Sequence, residues 1–400
     1  MKWSREVMRD RHMLRTMETL LLFGLLAFLF DQKWLLFTFI STFLLLTAHR
    51  LYLQNIGNRI TLENIKEKTH LFTGEETAIE LTLLNKGLPV INATMTIIFD
   101  HCLEPLHHPF SRDKAIIKTK VPCTIWSQEM FQLSLPVIAK KRGSCRIRKI
   151  TLSIPQLFGS GSVLLTYEPS VRKEFLVFPE KTLVHIPRQQ KQLFLGSMPV
   201  YTSLFHDPLQ PIGTREYRNE DPLQYIHWKA SARTMSLQTK IFTETTAHSW
   251  LLTFNIAHNQ YSLSQKIETY IRYAAYLINV AEKNHIPYAL AINVRTFRAD
   301  TSYYYLPEGE GGKHQQQALE LLSYLSWNML TVPYEQMLAS LETVHVAPIL
   351  IHIGEKTENA NHIFRRFKQR GSNLFFVETV DEKGVLEPWR TKQTSLEQNV

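Results

Sequence analysis

The chain is predicted to be multi-domain: an N-terminal pair of membrane-spanning helices, a β-sandwich, and then a doubly wound α/β domain. Two apolar runs lie within the first 53 residues. Short alternating segments broken by turn residues fill residues 57–170. Beyond residue 237, strand-length apolar runs alternate with stretches of helical period. A chain of 400 residues accommodates two globular domains and an appendage.

Glu18–Phe30 carries no charge after its first residue, and Trp34–Ala48 carries none. Asp31-Gln32-Lys33 separates the runs. Each is shorter than the ~20 residues that span a bilayer comfortably. Extension back to Met13 and on to Leu53 restores the length if Arg15 and Arg50 reach to the interface. Two antiparallel transmembrane helices are therefore expected within residues 18–53, after a basic N-terminus at 1–17. A signal peptide is the competing reading. Against it, no small-residue cleavage site precedes Asp31 and a second apolar run follows at once. A buried soluble hairpin is disfavoured because both runs are apolar all round. Basic residues cluster before the first helix and after the second, so both ends are expected in the cytoplasm and the turn outside.

The formal charge is +9, from 45 Lys and Arg against 36 Asp and Glu, and residues 1–60 supply +4 of it. That excess borders the apolar runs, so the lipid bilayer is the expected partner and nucleic acid is not. Cys102, Cys123 and Cys145 are an odd set without close pairing, which points to a reducing compartment and no disulfide framework.

Residues 57–170 read as a β-sandwich. Ile79–Leu84 and Met130–Leu135 alternate, Val90–Phe99 is β-branched, and Ile150–Ile154 is apolar at every second residue. His101, Cys102, His107, His108 and Cys123 lack the close paired spacings of structural zinc sites, so no metal is expected there. Residues 171–212 read as a strand, Phe175–Phe178, and a linker that wraps over the following domain or exposes a docking surface.

Gly213–Thr234 is the densest mixture of charge and aromatics in the chain. Between Gly213 and Glu244, five cations stand against four anions, a balanced network rather than a basic patch. Asp221-Pro222 is a helix-start signal, Asp as N-cap and Pro at the first helical position. Leu223, Ile226 and Trp228 are then expected on the helix's inner side. Arg215, Glu216, Asp221 and Arg233 suggest an ion-paired clasp.

Further on, strands are expected at Leu237–Thr243, Ser249–Ile256, Tyr288–Val294, Ala347–Ile353 and Leu374–Val380. Helices are expected at Ser264–Asn284, Gln315–Leu325, Tyr334–Leu341 and Asn359–Gln369. That alternation argues for a doubly wound, mainly parallel sheet, and the tail from 391 is polar and loose. Gly309-Glu-Gly-Gly312 lacks the Lys-Ser/Thr of a phosphate loop, and neither Gly-x-Ser-x-Gly nor His-Glu-x-x-His occurs. Tyr270, Tyr273 and Tyr276 fall at helical spacing, as packing residues do.

Arg215, Tyr217, Asp221, Pro222, Ile226, His227, Trp228, Lys229, Ala232 and Arg233 stand in the order and spacing of a known signature. With Gly74-Glu75, Lys141-Arg-Gly143 and Phe158-Gly159, they make the chain resemble the domain of unknown function 58 family. Asn219-Glu220 replaces the usual Gly-Asp, Leu223 the usual Arg, and the Asp before Pro-Phe-Gly is lost. The resemblance implies a von Willebrand factor A-like domain over residues 213–390. In such domains Asp-x-Ser-x-Ser ends the first strand and holds magnesium; Asn255, Ala257 and Asn259 stand there in this chain. Amides are poor ligands for a hard cation, so no metal and no cofactor are expected.

No catalytic set is recognisable. The expected function is a non-enzymatic, membrane-anchored scaffold or adaptor that uses the A-type domain to bind a protein. The resemblance implies a MoxR-type AAA+ ATPase or another envelope protein as its partner. The alternative is a hydrolase or transferase built on Asp221, His227 and Arg233, with His227 as acid or base.

Overall fold

The computed structural model describes residues 3–8, 11–63, 66–155, 161–169, 171–195, 206–218, 221–244, 249–259, 262–296, 302–326, 329–344, 348–380 and 383–389. The chain divides into two compact units, Met1–Pro179 and Glu180–Val400. Much of it is β-sheet, arranged in several sheets.

The first unit has a strand within the segment read as a basic N-terminus. β1 (Trp3–Met8) precedes α1 (Arg11–Leu29) and α2 (Lys33–Asn55). The strands after the helices are β2 (Ile60–Glu63), β3 (Lys66–Phe72), β4 (Glu76–Asn85), β5 (Val90–Asp100) and β6 (Leu103–Pro105). They continue as β7 (Phe110–Asp113), β8 (Ile116–Ile125), β9 (Glu129–Ala139), β10 (Gly143–Pro155), β11 (Ser162–Tyr167) and β12 (Arg172–Phe178). One sheet runs β1-β11-β10-β5-β8-β7, with β12 on β10 and β3 on β12; the other runs β2-β4-β9-β6.

Period-two alternation turns Ile79, Leu81, Leu83, Leu133, Leu135 and Val137 of the small sheet inward. Met95, Ile97, Phe99, Ile150, Leu152 and Ile154 of the large sheet join them in one core, which only facing sheets can build. The strand at Arg172–Phe178 belongs to this unit, with Phe175 opposite Cys145.

The helices differ from everything around them. α2 is the one helix among the described residues that is long and apolar enough to cross a membrane, by length and composition. Leu21, Leu22, Phe23, Leu25, Phe28, Trp34, Phe37 and Leu44 are all exposed. Phe23 stacks on Phe39 at 6.0 Å. At the base the character reverses. Leu53 and Ile56 enter the β core beside Trp3, and Arg5 donates to Asn58 Oδ1 at 3.2 Å and to the Gln54 carbonyl.

The second unit opens with β13 (Val184–His185) and α3 (Arg188–Leu195), inside the stretch read as linker. β14 (His206–Glu216), α4 (Trp228–Thr234) and β15 (Gln238–Glu244) follow. Then come β16 (Trp250–Asn255), β17 (Ala257–Asn259), β18 (Ser262–Leu263), α5 (Ile267–Lys283) and β19 (Tyr288–Arg295). The chain continues with β20 (Tyr303–Gly309), α6 (Gly312–Tyr324), α7 (Tyr334–Val344) and β21 (Ile349–Gly354). It closes with α8 (Asn361–Gln369), β22 (Asn373–Val380) and β23 (Lys383–Pro388).

The main sheet runs β13-β23-β22-β21-β16-β19-β20. Its four central strands, β22, β21, β16 and β19, are mutually parallel, while β20 runs antiparallel to β19, β23 antiparallel to β22, and β13 parallel to β23. Leu251, Ala289, Leu350 and Phe376 face α7 and α8. Trp250 and Phe375 face the other way and hold Phe194 of α3, with ring centroids at 4.2 and 5.6 Å. The stretch read as linker thus docks on its own sheet through β13 and Phe194. Strand order reverses between β16 and β21, and the crevice at their carboxyl ends is where folds of this kind bind ligands.

Candidate functional site

Two places in the second unit concentrate polar chemistry. The first is the segment from Arg215 to Thr239. β14 and β15 form a separate two-stranded ribbon rather than part of the main sheet. Asp221 is its lock. Both carboxylate oxygens accept from Arg215, at 2.6 and 2.8 Å, and the carboxylate also takes the Arg218 amide at 3.0 Å and the Thr239 hydroxyl at 3.1 Å. The Arg215 contact, then the Arg218 amide, hold this carboxyl down at about 2.

Asp221 therefore does not cap a helix. Pro222 leads into a single 3₁₀ turn, Leu223–Tyr225, and the cap of α4 is His227, whose Nδ1 accepts from the Ala230 amide at 3.1 Å. Asp221 is held away because its oxygens meet stronger donors on Arg215 and the ribbon. Of the three apolar residues expected inside, only Ile226 is buried; Leu223 and Trp228 are each 69% exposed. Tyr217 joins the ribbon by its backbone, donating to the Leu237 carbonyl at 2.8 Å. Arg233 lies on the exposed side of α4, and among the described residues it forms no ion pair. The clasp is thus Arg215–Asp221–Thr239. Asp221, His227 and Arg233 do not form one hydrogen-bonded set among the described residues. Asn219 and Glu220 lie outside those residues.

The second place is the crevice where strand order reverses. Asn255 ends β16 and is 2% exposed. Its Oδ1 accepts from the Asn293 side chain at 2.8 Å and the Ala257 amide at 3.2 Å. Its Nδ2 donates to the Glu355 carbonyl at 2.8 Å and to Thr357 Oγ1 at 3.3 Å. All four bonds an amide can make are made within the chain. Ala257 and Asn259 follow in β17, and the Asn259 side chain lies outside the described residues.

Around this amide the network closes further. Asn293 Oδ1 accepts from the Ile256 amide at 2.9 Å. Glu355 Oε1 accepts from the Ser264 hydroxyl at 2.7 Å and lies 3.4 Å from Tyr270 Oη. Burial, then Glu355, push the Tyr270 phenol up to about 12. His352 is buried between Tyr334 Oη, 2.6 Å from Nδ1, and the Glu355 carbonyl, 3.2 Å from Nε2. Because a carbonyl can only accept, Nε2 carries the proton. Burial pushes this imidazole down to about 3, so it stays neutral through the physiological range. Gly354 makes the arrangement possible: its φ is +119°, and a Cβ would fall 2.0 Å from the Asn255 carbonyl.

Asn293, Ser264, Tyr334, His352 and Glu355 escaped the reading of the sequence. For Asn293 and His352 a signal was present, as polar residues interrupting apolar strands in YALAINVR and ILIHIG; Ser264, Tyr334 and Glu355 lie outside those strands. In the first unit, Cys102, Cys123 and Cys145 are free and buried. Burial pushes Cys102 and Cys123 up to about 11 and Cys145 higher still.

No family model and no curated protein matches the chain. Among solved structures, it is similar to the sporulation control protein Spo0M from Bacillus subtilis, at 12% identity and a TM-score of 0.17 over 30% of this chain. That match spans about half of Spo0M, 49% of its length. A C. elegans MSP family member matches at 5% identity and TM-score 0.17, over 30% of this chain and 97% of that one. A family 123 glycoside hydrolase from Clostridium perfringens matches at 10% identity and TM-score 0.17, over 34% of this chain and 31% of that one. At these TM-scores the likenesses carry neither fold nor activity across.

Proposed function

We propose that the protein is a membrane-anchored, non-enzymatic scaffold or adaptor. A transmembrane hairpin holds it in the cytoplasmic membrane, and its cytoplasmic A-type domain, residues 213–390, binds a protein partner. The resemblance of the 213–234 signature makes a MoxR-type AAA+ ATPase, or another envelope protein, the expected partner.

The observation that carries the anchor is topological. β1 precedes α1, β2 follows α2, and both strands lie in the same compact unit. A unit folded around one core sits on one side of a bilayer. If α2 crosses, α1 must cross back, so two spans follow from one. The hydroxyls of Thr38, Thr42 and Thr47 donate to carbonyls three or four residues back, which satisfies them in lipid. Cations outside the runs and the free cysteines favour the cytoplasmic side for both termini.

The scaffold reading draws on the crevice. Asn255, at the position where the resemblance puts a metal-ligating Asp, already has its full set of internal partners. Its geometry serves to fix the carboxyl end of a central strand.

Membrane-impermeant maleimide labelling tests the anchor, because the native cysteines are buried. A Gln32→Cys variant should label in intact cells, and Ser4→Cys only after permeabilisation; Gln32→Cys labelling only after permeabilisation overturns the hairpin. For the scaffold role, the test is affinity capture of the detergent-solubilised chain from its host. Recovery of neither an ATPase nor any other stoichiometric protein removes that reading.

A further inference from the structure

The outer face of α4 carries apolar side chains that nothing inside the chain explains. Trp228 is 69% exposed, and so is Leu223 on the turn before it. Met235, just past the helix, is 93% exposed and sits in the left-handed region at φ 54°. That conformation costs a side-chain-bearing residue energy, and glycine is the usual occupant of such a helix end. A bulky apolar residue held there in the open gains no packing in return. At ~100° per residue, Trp228 and Ala232 share one stripe of α4, with Lys229 and Arg233 along one flank. The flank across from these cations, with the N-cap, is committed to the ribbon: Ser231 Oγ accepts from the Gln238 amide at 2.9 Å, and His227 donates its own amide to the Gln238 carbonyl at 2.7 Å.

Among the described exposed residues from 213 to 240, cations outnumber acids. Lys229, Arg233 and Arg218 are exposed, whereas Asp221 is already taken by Arg215 in a bidentate pair. Glu216 is the one exposed acid described between Arg215 and Lys240. An apolar stripe flanked by available cations complements a segment of opposite charge with a large apolar side chain.

We propose that this face docks an acidic peptide segment of the partner, anchored by an aromatic or aliphatic side chain against Trp228 and Met235. Lys229 and Arg233 pair with the segment's carboxylates and set its orientation. The proposal rests on the scaffold reading and names the chemistry that the partner must present.

The test is selection of a phage-displayed random 12-residue peptide library on the full-length protein in detergent micelles, with counter-selection on a Lys229→Glu/Arg233→Glu variant. Enriched peptides should be net acidic and carry a Leu, Phe or Trp. Trp228→Ala should weaken them about 10- to 30-fold, as loss of an interface anchor does. All three positions are exposed, so unchanged circular dichroism is the folding control. Enrichment of neutral or basic peptides, binding indifferent to Trp228→Ala, or no enrichment at all overturns the proposal. Its failure is separable from that of the scaffold reading. A natural partner that still binds a variant combining Trp228→Ala, Lys229→Glu and Arg233→Glu removes this surface and keeps the scaffold, whereas capture that recovers no partner removes the scaffold.

Discussion

Asn255→Asp exchanges an amide for a carboxyl of nearly the same shape at the point where the main sheet reverses. The two contacts to Oδ1, from Asn293 and Ala257, survive because oxygen still accepts them. What changes is the atom 2.8 Å from the Glu355 carbonyl, which ceases to be a donor. An ionised carboxylate there would set oxygen against oxygen at a side chain only 2% exposed. The group therefore resists ionisation in the folded state, and a rise of roughly two pKa units corresponds to about 3 kcal/mol lost at neutral pH. For a unit of this size that is a fall of about 6–12 °C in its melting transition.

The sign of the pH dependence follows. Below about pH 4 the carboxyl is protonated in both states, donates to Glu355 as the amide did, and the penalty disappears. As pH rises, the unfolded chain ionises first and the penalty grows until the folded group titrates near about pH 6. Scanning calorimetry of the full chain in detergent should show a large gap to wild type at neutral pH that closes in acid. Millimolar Mg²⁺ should not restore the variant, since Ala257 offers no hydroxyl. A gap that is the same at both pH values, or a Mg²⁺-dependent return to the wild-type transition, would refute the reasoning.

His227→Ala removes the cap of α4 and should cost about 1 kcal/mol in thermal or chemical denaturation, whereas His227→Asn, itself a good cap, should stay within a few tenths. His227→Asn should also keep the cellular phenotype; its loss with intact folding would favour chemistry at this residue. Glu342, 5% exposed, bridges Arg366 at 3.2 Å and Arg370 at 3.3 Å and ties α7 to α8. Glu342→Ala should cost about 1–2 kcal/mol in denaturant titration, less than a fully buried pair because both arginines can turn to water. Asp221, held at about 2 mainly by Arg215, has a depressed pKa, so its stabilising contribution is complete above its ordinary 3.8 and is lost as pH falls toward 2. Wild type and Asp221→Asn should differ by a constant amount near neutrality and converge in acid, measured by denaturation across pH.

The parts of the fold legible in the sequence are those where burial is periodic. Ile79, Leu81 and Leu83 on one strand, and Ile267, Ile271, Ala274 and Ile278 on one helix, expose the pattern directly because one face is dry and the other wet. β13 and β23, at one margin of the main sheet, carry less apolar character, and β14 is interrupted by two prolines. Such strands are defined by backbone partners far away in the sequence, which periodicity does not report. The Asp221-Pro222 signal misled for a related reason. A local rule assigned the aspartate to its nearest amides, but Arg215 and Thr239 compete for the same oxygens from the two strands of a ribbon. Long-range geometry decided the contest.

β1 changes how the two apolar helices must be read. Among the described helices, α2 alone meets the length and apolarity needed to cross a membrane. Trp3 in the β core and the Arg5 contacts to Gln54 and Asn58 tie the chain before α1 to the chain after α2. Leu53 and Ile56, buried in that same core, fix the exit of α2. The helices are then two arms of one closed excursion, with both feet in a single folded unit. Leu21, Leu22, Leu25 and Phe28 of α1 are exposed, and only Phe30–Gln32 joins α1 to α2. Under the proposed anchor, the strand Trp3–Met8 is what would turn one crossing into two.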